Sequence, residues 1–488
     1  MKRKSMIVAI AAALLWPSFG AVSAEEARTI EDESIYDALV DRYFNKLIDN
    51  DYEVDATDPS TFSGGDFAGM ESEIGHVRDM GFTVLSIGGV FQTASYDGKQ
   101  VIDYANLERH FGTSDEFQSL IETAHSDDLK IIVDLPTQTL SEEHNWASSN
   151  PEWFSENGDG TIALDTGNGE VQQALIEMFQ QFRTDYPIDG VRLRQSEELS
   201  PAFVEQFSAA VKQDGDFYVL ADAEMEALPG FDAVVQPGIE EELRNSYRVF
   251  DQPLSALPDL LEQSAGNLIQ TDSIDGARFT ADIVESRGYP PTRWRMLFAQ
   301  LLTMPGIPVV QYGSETAMNG QAVPESHQIL DKAVEKELID YIANLNSLRN
   351  SSEALRTGEL EMLHEEDGWM VYKRSNEEEG WIIAINNSSV TKNLTLDQDI
   401  IGEGMELRGL FENDIVRPND QGQYRLTLDR ELVETYHITE KRGLNMAYVA
   451  TLAVMYLVFM GFLWFVWRKG KQRKADEAAK KQQANKVQ

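Results

Sequence analysis

Cysteine is absent from the 488 residues. Its absence excludes disulfides, thiolate metal sites and a thiol nucleophile. Basic residues are scarce, 41 Lys and Arg against 82 Asp and Glu, and they are unevenly placed. Residues 468–488 carry eight basic and two acidic side chains, and the first four residues carry three basic ones. The stretch between therefore holds 30 basic and 80 acidic residues, a net charge near −50. Such a surface repels nucleic acid and anionic lipid. It reads as a solvated acidic coat suited to a salty or alkaline exterior, with an acidic recognition patch as the alternative. Long apolar runs are also few, one near each end. The remaining composition is ordinary for a globular chain, and the length implies two or three domains.

The first run follows Met1-Lys2-Arg3-Lys4, extends to Leu15 and is closed by Ala21-Val22-Ser23-Ala24 before Glu25. A basic start, a short apolar stretch and small residues predict a secretory signal peptide over 1–24. An N-terminal membrane helix is the alternative, but the run falls short of the ~20 residues that span a bilayer. The second run, 444–467, is uncharged and carries Tyr448, Tyr456, Trp464 and Trp467. It is long enough to cross a bilayer, and Arg468, Lys469, Lys471, Arg473 and Lys474 follow at once. The positive-inside rule then predicts a single-pass protein of the cell membrane, with a basic cytoplasmic tail at 468–488 and an extracellular ectodomain.

Between the two runs, β-branched segments alternate with amphipathic ones. Candidate strands are Ile35–Phe44, Thr83–Gly88, Lys130–Leu135, Gly190–Arg194, Phe217–Asp222, Phe231–Gln236, Asn267–Ser273 and Ile307–Tyr312. Helical stretches such as Met70–Met80, Ser114–Ser126 and Thr292–Thr303 lie between them. Eight such alternations predict an α/β fold, a (β/α)8 TIM barrel over 25–352, with its site at the C-terminal strand ends. The stretch 136–165 is rich in Asn, Ser, Glu and Gly and predicts a reduced subdomain after the third strand. Short alternating strands from Gly368–Tyr372 to Glu434–Ile438 predict a C-terminal antiparallel β-sandwich domain over 353–440.

Motifs in order along the chain carry a resemblance. They are Ile35-Tyr36 through Asp41-Arg42-Tyr43-Phe44, then Gly64-Gly65-Asp66-Phe67-Ala68-Gly69, then His110-Phe111-Gly112-Thr113, and finally Pro305-Gly306-Ile307-Pro308 through Tyr312-Gly313-Ser314-Glu315. Together the chain resembles the alpha-amylase family (glycoside hydrolase family 13), specifically secreted Gram-positive members with a C-terminal membrane anchor. The resemblance implies an alpha-glucan substrate and places catalytic motifs that depart from the pattern. The third strand of the family ends Asp-x-x-x-Asn-His, whereas Asp134 is followed by Gln138 and Thr139. The fourth reads Gly-x-Arg-x-Asp; Arg192 is kept, but Arg194 stands at the nucleophile position. Asp222 replaces the acid/base Glu of the fifth, and Ser273-Ile274-Asp275 retains only the last residue of Asn-His-Asp. Tyr96-Asp97-Gly98-Lys99 stands for the substrate motif Tyr-His-Gly-Tyr. Losses thus fall on catalytic and sugar-contacting positions, while scaffold positions survive.

A retaining glycosidase needs two carboxyl groups ~5–5.5 Å apart. Arginine offers no lone pair and stays protonated. It also lowers the pKa of a neighbouring acid, where a general acid needs it raised. Strand periodicity puts Arg192 and Arg194 on one face, with Asp134, Asp222 and Asp275 as the anions to pair with them, which predicts a plugged, catalytically inactive mouth. Two alternatives stay open: rescue by the displaced carboxylates Glu224 or Glu197, and an inverting mechanism using Asp275 as base and Asp222 as acid. Substrate-binding candidates are Tyr96, Asp134 and Arg192, with Trp146 and Trp153 able either to stack on sugars or to pack the long loop. Asn50, Asp51, Gly64 and Asp66 resemble a calcium loop of the family, with a capped, metal-free turn as the alternative; Gln138 with Asp165 is a poorer second cation site. Three functions fit: a non-catalytic displayed protein binding glycan or a surface partner, an active or impaired alpha-glucan hydrolase, and a structural subunit of a membrane complex.

Overall fold

The computed structural model describes residues 28–213, 215–333, 336–412, 414–441 and 446–484. The expected signal peptide and the first residues of the expected span, Leu444 and Asn445, lie outside the described residues.

Eight parallel strands close into a barrel: β1 (Ile35–Asp37), β2 (Val84–Ser86), β3 (Lys130–Leu135), β4 (Gly190–Leu193), β5 (Tyr218–Glu224), β6 (Ala233–Val235), β7 (Leu268–Ile269) and β8 (Ile307–Gln311). Each pairs with its sequence neighbour, and β1 closes the ring on β8 through Ile35↔Val309 and Asp37↔Gln311. Side chains alternate across a strand. Ile35, Val84, Ile132, Leu220, Val235, Leu268, Ile307 and Val309 accordingly form one buried apolar layer inside the barrel. One inward step further along the strands come Asp37, Ser86, Asp134, Arg192, Asp222 and Gln270. The change from aliphatic to charged side chains thus coincides with the C-terminal strand ends. Gly190 suits the start of β4, because a Cβ there would lie 3.0 Å from both Ile132 and Tyr218 on the flanking strands.

The helices outside the barrel follow local signals. Ser114–Ser126 starts at a capping box in which Thr113 and Glu116 exchange side-chain-to-backbone bonds, and it buries Phe117, Leu120, Ile121 and Ala124 along one stripe. Loss of such a cap costs about 1 kcal/mol. The expected helix Met70–Met80 is instead two short helices, Phe67–Ser72 and Ile74–Asp79, meeting at Glu73. The expected strand Ile35–Phe44 stops at Asp37, and Val40–Tyr43 turns helical. The long connection after β3 folds into a three-stranded antiparallel sheet of Leu140–Ser141, Thr161–Leu164 and Phe154–Glu156, with the short helix Asn145–Ser149.

The chain divides into two compact units. The first runs through Lys392 and takes back Thr427–Thr435, so the antiparallel strands Glu359–Glu366, Trp369–Ser375 and Gly380–Asn386 group with the barrel. The second comprises Asn393–Leu426 and the chain from Tyr436 onward. In it, Met405–Gly409 pairs antiparallel with Ile415–Val416 and with the strand ending at Glu440. It also contains one unbroken helix, Met446–Ala484, long and apolar enough to cross a membrane.

Candidate functional site: an ion-pair cluster in the barrel mouth

β4 carries two arginines on its inward face. Arg192 binds two carboxylates side-on. Its Nε and Nη2 donate to Asp134 at 2.7 and 3.0 Å, and its Nη1 and Nη2 donate to Asp37 at 2.8 and 2.9 Å. Burial alone would push this guanidinium down, but Asp134 and Asp37 hold its pKa well above the usual arginine value. Arg194, 4% exposed, reaches three carboxylates: Asp222 at 3.2 Å, Asp134 at 3.6 Å and Asp275 at 2.5 Å. Its pKa is likewise raised by Asp222, Asp275 and Asp134, against burial and the repulsion of Arg192. Charged groups are tolerated at such depth only when paired: Arg192 is bonded in pairs to two carboxylates, and Arg194 has three carboxylates within ion-pair distance.

Asp222 has a second attachment. Its carboxylate accepts from the backbone N–H of Gln195 at 2.9 Å and of Ser196 at 3.1 Å, and from the Ser196 hydroxyl at 2.9 Å. Those bonds hold the turn after β4, where Gln195 takes the left-handed conformation (φ 51°) that opens the 3₁₀ helix Ser196–Glu198. Asp275 lies at the rim with half of its side chain exposed, and Lys99 reaches it from the turn of the Phe91–Thr93/Val101–Leu107 hairpin. Burial acts to raise the Asp275 pKa, but Arg194 and Lys99 outweigh it and hold the carboxyl well below the usual range. Lys99 also lies 3.4 Å from Asp97. The space left among Asp37, Arg192, Arg194, Asp222 and Asp275 amounts to about 20 Å³, room for about one water and far below the ~300–1,000 Å³ of ligand pockets.

The structure therefore brings together Asp134, Arg192, Arg194, Asp222 and Asp275, two arginines placed on one face by strand periodicity and the three carboxylates named as their partners. It adds Asp37 and Lys99, to which the sequence reading gave no role. Asp37 carried a signal: a lone carboxylate two residues beyond Ile35, in the inward phase of β1. Both candidate rescuing carboxylates point to other tasks, since Glu224 accepts from Gly238 N at 3.0 Å and Glu197 is exposed on the 3₁₀ turn.

Other candidates lie apart from the cluster or have their polar atoms occupied. Tyr96 is not an open sugar platform: it is 6% exposed, Arg42 covers its ring at 3.9 Å, and its hydroxyl meets His327 Nδ1 at 2.9 Å. Trp146 and Trp153 pack edge to face against each other at 5.8 Å, and Trp146 also contacts Tyr104, so the packing alternative describes them.

The calcium-loop residues do not fit a calcium ion. Asp66 accepts from Gly69 N with one oxygen and from Lys46 N and Leu47 N with the other, acting as a helix cap. Asp51 accepts both of its bonds from the Asn45 amide, and Asn50 donates to His110 O at 2.7 Å. Gly64, at φ 93°, leaves room for that Asn45–Asp51 contact, where a Cβ would fall 2.3 Å from the Asn45 nitrogen. Asp66 has both oxygens taken by backbone N–H donors, Asn50 and Asp51 are turned to other partners, and no group of three His, Asp or Glu suited to a metal occurs among the described residues. At the second position, the Gln138 amide donates to Leu164 O at 3.3 Å and to the Thr137 hydroxyl at 3.2 Å.

Comparison with known proteins agrees with this architecture. A model of the alpha amylase catalytic domain matches residues 32–159, and one of the alpha-amylase C-terminal domain matches residues 358–436. The crystal structure of an Anoxybacillus alpha-amylase superimposes with a TM-score of 0.82 at 32% identity, covering 86% of this chain and 100% of that one. The Geobacillus thermoleovorans alpha-amylase, solved with acarbose, gives 0.79 at 30% identity over 85% of this chain and 100% of that one. The beta/alpha-amylase of Paenibacillus polymyxa is 25% identical over 83% of this chain, which spans only 38% of that longer protein. By barrel, C-terminal strands and similarity over the full length of solved relatives, the chain belongs to the alpha-amylase family, glycoside hydrolase family 13.

Proposed function

We propose that this chain is a membrane-displayed, non-hydrolytic member of its family that acts by binding a glycan or a surface partner. The observation that carries the reading is Arg194. It is a buried cation with three carboxylate partners at the strand end where, by the family resemblance, the nucleophile stands. The same contacts work against proton transfer. Asp222 is committed to the Gln195–Ser196 turn, and Asp275 is held ionised by Arg194 and Lys99. A general acid needs the opposite environment, one that keeps its proton near neutral pH. The Met446–Ala484 helix supports anchoring, with the acidic region outside and the basic tail in the cytoplasm.

The test uses the full chain in detergent with starch, pullulan and short alpha-glucosides. Turnover should not exceed that of a buffer blank, and turnover abolished by Asp222→Ala or Asp275→Ala would establish hydrolysis instead. The pair Arg194→Asp with Asp222→Glu should not restore activity, because Gln138, Thr139 and Ile274 still depart from the family's substrate set. Retardation in a maltooligosaccharide gel would identify the ligand as alpha-glucan. Free migration would favour a protein partner.

A further inference from the structure

We propose that the C-terminal helix carries a headgroup-binding collar, Arg468 to Lys474, selective for anionic phospholipid; this rests on the membrane-anchor reading above. The helix runs unbroken over Met446–Ala484. From Tyr448 to Trp467 it holds no charged residue, and at 1.5 Å per residue that stretch is ~30 Å long, the thickness of a bilayer's hydrocarbon core. Arg468, Lys469, Lys471, Arg473 and Lys474 follow within two turns, ~10 Å of axis, before the first acid at Asp476. None of the five makes an ion pair among the described residues.

Three of the five are placed by aromatic rings one turn back. Arg468 lies over Trp464 at 5.2 Å, Lys469 over Phe465 at 5.1 Å and Lys471 over Trp467 at 5.3 Å. Tryptophan at the end of a membrane span sits at headgroup depth. Cations stacked on those rings are therefore held level with lipid phosphates, whereas a soluble acidic partner would have to approach beyond them. The region before the helix, net −50, repels anionic lipid in the opposite leaflet. Lipid selection is thus confined to the side of the collar.

The experiment reconstitutes the full chain in vesicles of phosphatidylcholine with 30 mol% phosphatidylglycerol. Spin-labelled forms of each lipid report association with the protein by electron paramagnetic resonance. Phosphatidylglycerol should associate at least about five-fold more strongly, a factor that ~1 kcal/mol, the attraction of a single basic residue, would supply. The preference should collapse toward unity in 0.5 M NaCl and in the variant Arg468→Gln, Lys469→Gln, Lys471→Gln, Arg473→Gln, Lys474→Gln. No preference in the native chain overturns the proposal. A preference that persists in the glutamine variant, or in high salt, assigns the lipid to other residues and overturns it too. Alkaline carbonate extraction separates the two readings. A chain released from the vesicles refutes the anchor itself, while one that stays integral without lipid preference refutes the collar alone.

Discussion

Replacing Arg194 by methionine keeps most of the stem and deletes the charge. Removal of one member of a buried ion pair costs about 3–5 kcal/mol, mostly because its partners are left uncompensated. Here each partner retains something: Asp134 keeps its paired bonds to Arg192, Asp222 keeps the Gln195 and Ser196 donors, and Asp275 keeps Lys99 and water. The cost should therefore fall at the lower end, ~3 kcal/mol. With an unfolding entropy of ~2.1 cal/mol/K per residue, a barrel of ~300 residues loses about 5 °C in Tm. Tryptophan fluorescence of the full chain in detergent during heating would measure it.

The acid limb gives a second readout. Asp275 has a depressed pKa in the folded state, so its contribution is present above the unfolded value near ~4 and is lost as pH falls through the folded one. Without Arg194 that depression shrinks, and stability should fall less steeply below about pH 4. A methionine variant as stable as the native chain, with an unchanged acid limb, would refute the cluster as a unit of stability. A variant that gained starch hydrolysis would refute the functional reading.

Two further outcomes follow from the same structure. Burial, reinforced by Asp272 and Glu224 and opposed by Arg244, lifts Glu240 to about 7. The stabilising contribution of such a raised group is complete below ~4.5 and is lost as pH climbs through about 7, so Glu240→Gln should flatten Tm against pH between those values, and an unaltered slope would sink the assignment. Because Asp66 has both oxygens taken by backbone N–H donors and Asp51 is bonded to the Asn45 amide, millimolar calcium or its chelation should leave Tm unchanged; a calcium-dependent rise of several degrees would show that the loop rearranges into a site.

The barrel was legible because each strand is a short β-branched segment between helical ones, and Lys130–Leu135 forms as read. Errors arose where burial continued through a change of backbone. Val40–Tyr43 is as buried as the strand before it, and nothing in its composition announces that Asp41 will accept from Ser63 N and Gly64 N and stand in a helical turn. The acidic strand Glu359–Glu366 and the Phe91–Thr93/Val101–Leu107 hairpin escaped notice, the first because its glutamates mask the alternation. Within the site, the arginines and three of their carboxylates followed from period two along β4 and from the family pattern. Asp37 lies 155 positions from Arg192 and is brought to it only when the ring closes. Lys99 stands in the segment matched to the family's substrate motif, but its contact with Asp275 depends on how the hairpin folds over the mouth.

The bonds from Asp222 to the Gln195–Ser196 turn restrict which side chains this corner of the barrel can accept. An aspartate at position 194 would add another carboxylate beside Asp134, Asp222 and Asp275 with only Arg192 and Lys99 to balance them, and a glutamate at 222 would disturb a turn now built around the shorter side chain. Either substitution therefore costs folding stability, and natural proteins sit close to their stability threshold. The turn thus works as a lock: with Asp222 bonded into it, a longer side chain at 222 requires the backbone at Gln195–Ser196 to be rebuilt.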